Sequence, residues 1–219
     1  MHSTFTTISM KKSFLFFGLI VLLTACANKE VILPEAEVTV VEKVDNWSPV
    51  YLFFAQKGKD TVADLNRKNT ITSTNYIFNI DKRLPMRLVI PEVNLVLQKK
   101  EASPHKSEVA QNYFSYSDTK ARRLAFLNVQ RIKFTAGTYS KGIVVHVSKA
   151  GKVRILEQSV AVEDVPSFLA QLPSDKPFKV QFQFEGDMTY GAYMKFRIAV
   201  QQWTIPSMGA HWFSEDWFK

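Results

Sequence analysis

The 219 residues are 46% hydrophobic and 22% charged, a globular composition at a length that holds one domain or two small ones. One cysteine excludes a disulfide framework, a CxxC redox pair and a thiolate zinc site, and His2, His105, His146 and His211 lie too far apart for a metal-binding motif. With 28 Lys and Arg against 20 Asp and Glu, the +8 charge suits anionic surfaces, and no nucleophile elbow, phosphate loop or dinucleotide fingerprint frames a catalytic site.

The N-terminus is the most specific segment. Met10-Lys11-Lys12 is followed by an apolar run, Ser13–Leu23, and then by Thr24-Ala25-Cys26. A basic start, a short apolar stretch and small residues describe a secretory signal peptide over residues 1–25, and Met10 is the more natural start. The run is shorter than the roughly 20 residues a membrane span needs. Leu23-Thr24-Ala25-Cys26 resembles the lipobox of bacterial lipoproteins. That resemblance implies a diacylated (palmitate-bearing) Cys26 sulfur, cleavage before Cys26 and a lipid-anchored mature protein. Ala27-Asn28 lacks the aspartate that retains enterobacterial lipoproteins at the inner membrane, so the outer membrane is favoured. Removal of Lys11 and Lys12 leaves a mature net charge of +6. Lipid headgroups and cell-wall polymers are then the expected partners, and nucleic acid is not.

Residues 26–49 are expected to tether the lipid to the body. Over residues 50–135, Val50–Ala55 reads as a strand, Gln56–Lys59 as a turn and Thr61–Leu65 as the returning arm. Tyr76, Ile77, Ile80 and Leu84 show helical spacing behind a Ser73 or Thr74 cap. Met86–Ile90 reads as a strand, Gln98–Asn112 as a charged insertion, Tyr116–Phe126 as a second helix and Arg131–Phe134 as a last strand.

Residues 139–206 repeat that order more cleanly. Gly142–Ser148 and Val153–Leu156 flank a Lys149–Lys152 turn, and Val162, Val165, Phe168, Leu169 and Leu172 recur at helical spacing. Phe178–Phe184 alternates strictly, as a strand with one buried face does. A helix over Tyr190–Gln202 and a short strand at Trp203–Ile205 complete the module. The fold expected is α+β, two tandem β-β-α-β-α-β modules.

The strand Ile143–Val147, the Gly151 turn, the helix opened by Val162-Glu163-Asp164, the strand after Asp175-Lys176-Pro177 and the Tyr190-Gly191 helix start resemble the periplasmic domain of the ExbD/TolR family. The first copy joins that resemblance only through the internal repeat. Family members are stators of proton-driven motors that work with ExbB/TolQ-type channel proteins. Their membrane helix carries a proton-coupling aspartate, and Ser13–Leu23 has no acidic residue, so proton conduction does not carry over. Family members dimerise through this domain, so two copies in one chain imply a pseudo-dimer or pairing with a true ExbD.

No residue stands out as catalytic or metal-ligating. Asp60, Asp64 and Asp81 lack a paired general base, and His146 reads as a strand histidine. Lys99, Lys100, His105 and Lys106 with Lys120, Arg122 and Arg123 form a basic region, a solvated face or a partner contact. Trp212, Phe213, Trp217 and Phe218, in the tail 207–219, either pack back or dock on a partner. The function expected is non-enzymatic and needs no cofactor: an accessory lipoprotein of an ExbB/ExbD (TolQ/TolR)-type motor or transport complex. The alternatives are a structural outer-membrane lipoprotein binding peptidoglycan and a chaperone or secretion-apparatus lipoprotein using the sheet edge for strand addition.

Overall fold

In the computed structural model, which describes residues 29–129, 134–136, 142–173, 180–203 and 214–218, the chain divides into residues 1–30, described only at Lys29 and Glu30, and a body from Val31 to Lys219. For 134–136 and 214–218 the backbone alone is described. The body opens with β1 (Glu35–Ala36), then β2 (Trp47–Lys57) and β3 (Asp60–Asn66) form a hairpin. Gly58 sits at φ +65 in its turn, a conformation that costs glycine little. β4 (Asn75–Ile80) lies parallel to β2, helix α1 (Met86–Glu101) crosses over, and β5 (Asn112–Asp118) lies parallel to β4. β6 (Arg123–Asn128) returns antiparallel along β5. The sheet order is β1-β5-β4-β2-β3, with β6 on β5.

The second sheet holds β7 (Phe134–Ala136), β8 (Ile143–Val147), β9 (Val153–Ile155) and β10 (Gln158–Val160). A 3₁₀ turn at Val162–Asp164 leads into α2 (Val165–Ala170), followed by β11 (Val180–Phe184), α3 (Tyr190–Gln201) and β12 (Ser214–Phe218). Its order is β10-β9-β8-β11-β12-β7. Mixed sheets with three helices among the described residues make the fold α+β. In both sheets a hairpin is followed by a parallel strand, a crossover helix and another parallel strand. The neighbours β3-β2-β4-β5 thus correspond to β9-β8-β11-β12. One hydrophobic cluster joins Leu52, Phe78 and Phe114 of the first sheet to Phe182, Phe184, Tyr190 and Met194 of the second half.

Three first-half expectations are corrected. Tyr76–Ile80 is strand, not helix. β4 is a central strand with parallel neighbours, and Tyr76, Ile77, Phe78 and Ile80 are all buried. A strand covered on both faces loses its alternation and imitates a helical stripe. Met86–Ile90 opens a helix, not a strand. Its buried stripe Met86, Val89, Val93, Val96, Lys100 has helical spacing, and the helix carries Pro91 inside it, where the sequence reading ended the segment. Tyr116–Phe126 is two strands around a tight turn. The Asp118 carboxylate accepts from the Lys120 and Ala121 amides there, and Arg122 takes φ +53. Leu84-Pro85 therefore corresponds to Met188-Thr189 in the second half.

From Val31 the segment expected as a tether belongs to the body. β1 pairs with β5, Val41 bridges Phe126, and Trp47–Pro49 already lies in β2. Apolar Val38, Val40 and Val41 pack on the core, which holds this stretch down. In the second half Trp203 follows α3 without forming a strand, and Thr204 and Ile205 lie outside the described residues. Arg131–Lys133 also lie outside them, and Phe134 begins β7.

Candidate functional site: the strand-to-helix junction and the two ends of the first sheet

The first N–H groups of a helix have no intrahelical acceptor and need one elsewhere. Here each long helix finds it on the turn that starts the other. Met86 N donates to Met188 O at 2.8 Å and Arg87 N to Gly186 O at 2.9 Å. In the reciprocal positions Tyr190 N donates to Leu84 O at 2.7 Å and Gly191 N to Lys82 O at 3.0 Å. Pro85 and Thr189 form an antiparallel bridge at the centre. Helix α1 has no side-chain cap, whereas Thr189 Oγ1 also accepts from Ala192 N at the start of α3. The cross-bonds therefore do for α1 what a capping side chain does elsewhere.

The Tyr190-Gly191 pair has a physical reason in this contact. The Tyr190 ring is fully buried, edge-on to Phe114 at 5.5 Å. A Cβ on Gly191 would lie 3.1 Å from Lys82 Cβ and 3.2 Å from Lys82 O. Gly191→Ala is expected to push the two turns apart and to cost about 1–3 kcal/mol, read as a lower denaturant midpoint at unchanged slope.

The turn after β4 also holds the start of the body. Asp81, fully buried, accepts from Ile32 N at 3.2 Å and Arg83 N at 3.0 Å. The Arg83 guanidinium grips both oxygens, Nε to Oδ1 at 2.8 Å and Nη2 to Oδ2 at 2.7 Å. Lys82 N donates to Ile32 O at 2.7 Å, which closes the grip on Ile32 from both sides. Burial pushes the Asp81 carboxyl upward, but the Arg83 and backbone hydrogen bonds outweigh it and hold it below the ordinary aspartate value. Sequence reading passed over this residue because its partners are amides and an arginine two positions on, not a second carboxylate.

Parallel pairing sorts the basic residues onto opposite ends of the first sheet. Leu52 faces Ile80 and Phe78 faces Phe114, so β2, β4 and β5 all finish at the end where Ile32 is held. Lys120 and Arg122 lie in the β5–β6 turn at that end, and Arg123 opens β6 beside them. Arg123 pairs with Glu42, while Lys120 and Arg122 are exposed and make no ion pair with another described residue. Lys99, Lys100, His105 and Lys106 lie at the other end, where α1 finishes. The structure therefore does not bring together the residues expected as one basic region. Lys106 is neutralised by Glu101 and Glu108.

Lys100 is only 6% exposed and lines a cavity of about 800 Å³ with Leu97, Ala110, Asn112 and Val129. Its Nζ donates to Asn112 Oδ1 at 2.9 Å and Gln111 O at 3.3 Å, and lies 4.2 Å from the Tyr76 ring centroid. Desolvation brings its pKa down to about 8, against a smaller upward pull from Glu101. Between about pH 8 and the free-lysine value of 10.5 the unfolded chain holds a proton that the folded chain has released. Stability from this residue is therefore expected to rise with pH across that window, by about 2–3 kcal/mol. The difference in urea unfolding free energy between wild type and Lys100→Met, taken at pH 7.5 and pH 10, isolates it. An unchanged difference refutes the assignment.

Trp47 (51% exposed), Ile71 (61%) and Val109 (85%) cluster at this same end, a set the sequence reading missed. Trp47 pairs with Asn75, Ile71 N donates to Ser48 Oγ, and Asn75 Oδ1 accepts from Gln111 N. A signal was present: Trp47 opens a β-rich run beside Asp45-Asn46, but a lone aromatic says nothing of exposure. In the C-terminal tail Trp212 and Phe213 lie outside the described residues. Trp217 and Phe218 belong to β12, whose backbone pairs with β11 and β7. His146 is half-buried in β8. No helix of the described residues is long and apolar enough to cross a membrane.

Residues 10–27 match the family model of the prokaryotic membrane lipoprotein lipid attachment site. The chain thus carries the lipid attachment site of an envelope lipoprotein. The match spans Leu23, Thr24, Ala25 and Cys26, which lie outside the described residues. No ExbD/TolR family model matches, and neither a curated protein nor a solved structure matches the chain.

Proposed function

We propose that the protein is a non-enzymatic envelope lipoprotein that binds a protein partner, as an accessory subunit of an ExbB/ExbD (TolQ/TolR)-type motor or transport complex. The observation that carries this reading is the reciprocal bonding of the two strand-to-helix turns. ExbD/TolR-like domains work as dimers, and a single chain with two such turns bonded to each other supplies both halves of that pairing. Outer-membrane anchoring through Cys26 belongs to the same reading. The exposed Trp47, Ile71 and Val109 supply the partner contact, since desolvated tryptophans dominate interface energies.

The test is mild-detergent affinity purification of the tagged full-length lipoprotein, with mass spectrometry of what is retained. Recovery of an ExbB/ExbD- or TolQ/TolR-type complex, lost on Trp47→Ala with Ile71→Ser at unchanged thermal stability, supports the reading. Cell-wall or outer-membrane components without a motor overturn it. The exposed Lys68 and Lys99, at the end of the sheet where Trp47 lies, favour the second reading, a structural lipoprotein that binds peptidoglycan. Retention on isolated peptidoglycan, without motor proteins, is its signature.

A further inference from the structure

We infer that the end of the first sheet at which Ile32 is held is a seat for anionic phospholipid headgroups of the leaflet that carries the anchor. Six residues run from Cys26 to Ile32, and a chain that short spans about 20 Å even when fully extended. The lipid therefore keeps the Asp81 turn near the bilayer, and with it the other turns at that end.

Two of those turns project cations. Lys57 ends β2 and Lys59 stands in the β2–β3 turn that follows, and β2 runs five residues past Leu52, the partner of Ile80, so this turn overhangs the rest of the sheet. Lys120 and Arg122 stand in the β5–β6 turn. All four are exposed, and none makes an ion pair with another described residue. The remaining cations there are engaged: Lys82 by Glu35, Arg83 by Asp81, Arg87 by Asp187 and Arg123 by Glu42. Of the carboxylates beside the four, Asp118 is taken up by Thr39 Oγ1 and two amides, while Asp60 and Glu37 stay exposed. Ile32 (41% exposed) and Leu124 (45%) add apolar surface to the same end. Long cationic side chains with scattered aliphatic residues suit a headgroup layer, where the stems lie against acyl chains and the charges meet phosphate. This inference stands on the anchor and the sheet and does not depend on any motor partner.

The lipidated mature protein is reconstituted into nanodiscs of phosphatidylcholine alone or of phosphatidylcholine with phosphatidylglycerol. Amine acylation rates are then read by peptide mass spectrometry. Lys57, Lys59 and Lys120 are expected to react about fivefold more slowly on the anionic discs, the scale of one charge's attraction to such a surface. Lys99, at the opposite end, keeps its rate, and high salt removes the difference. Lys120→Glu with Arg122→Glu is expected to return Lys57 to its rate on neutral discs, with thermal unfolding unchanged as a control. Equal rates on both discs, or slowing at Lys99 in place of these three, overturn the assignment.

Discussion

Cys26→Ser is expected to abolish lipid incorporation and to take the protein out of the stably membrane-held fraction. A serine hydroxyl is too weak a nucleophile at neutral pH to form the linkage that a cysteine thiolate makes to a diacylglyceryl group, and the chain offers no second thiol. Each buried CH₂ of an acyl chain is worth about 0.8 kcal/mol, so two chains give an anchor that one short apolar peptide cannot replace. Ser13–Leu23 is too short to span the hydrocarbon core in its place. Metabolic labelling with palmitate and fractionation after a carbonate wash read the outcome. Label retained on the Cys26→Ser protein refutes attachment at this residue.

Asp81→Ala is expected to be the most damaging single change within the body. It removes the acceptor of two backbone amides and of a two-point arginine contact, all converging on a carboxylate with no exposed surface. Hydrogen bonds to a charged group contribute more than neutral ones, but Arg83 is 47% exposed and recovers hydration when released. The expected loss is about 3 kcal/mol, or roughly 6–12 °C in Tm for a body of this size. Residues 31–36, which β1 and the Ile32 contacts hold against the sheet, are expected to lose hydrogen-exchange protection first.

The pH dependence follows from the sign of the shift. The folded carboxyl titrates below its unfolded value of 3.8, so its stabilisation is fully present above that value and is lost as pH falls through the lower, folded one. Acid unfolding of Asp81→Ala should therefore be shallower than that of wild type below about pH 4. An identical acid profile in the two proteins contradicts the clamp.

What was readable in the sequence, and what was not, divides along the range of the forces involved. The signal segment and Cys26 are local: a charge pair, an apolar run and a reactive side chain are recognised as a string. The two hairpins are local as well, because Gly58 and Gly151 supply the left-handed turns that their flanking strands need. Strand β11 was legible because Val180, Phe182 and Phe184 alternate with glutamines, although Gln181 is buried as well, and helix α3 because its buried Tyr190, Tyr193, Met194 and Arg197 recur at helical spacing.

The first half misled for the complementary reason. β4 is covered on both faces, so Tyr76, Ile77, Phe78 and Ile80 record burial without direction. The buried stripe of α1 was on the page in full, but Pro91 in its second turn masked it. Neither half announces that its helix begins on the other half's turn, since the Met86 and Tyr190 amides carry no side-chain mark of their acceptors.

Chemistry carried by the chain itself was therefore determined by the sequence alone: a lipid attachment site within residues 10–27, an α+β body and a basic surplus. Which cations share an end of the sheet and which carboxylate holds Ile32 were decided only by the tertiary structure. Those are long-range relations, such as Ile32 with Asp81 across 49 positions, and strand pairing rather than proximity in the string creates them.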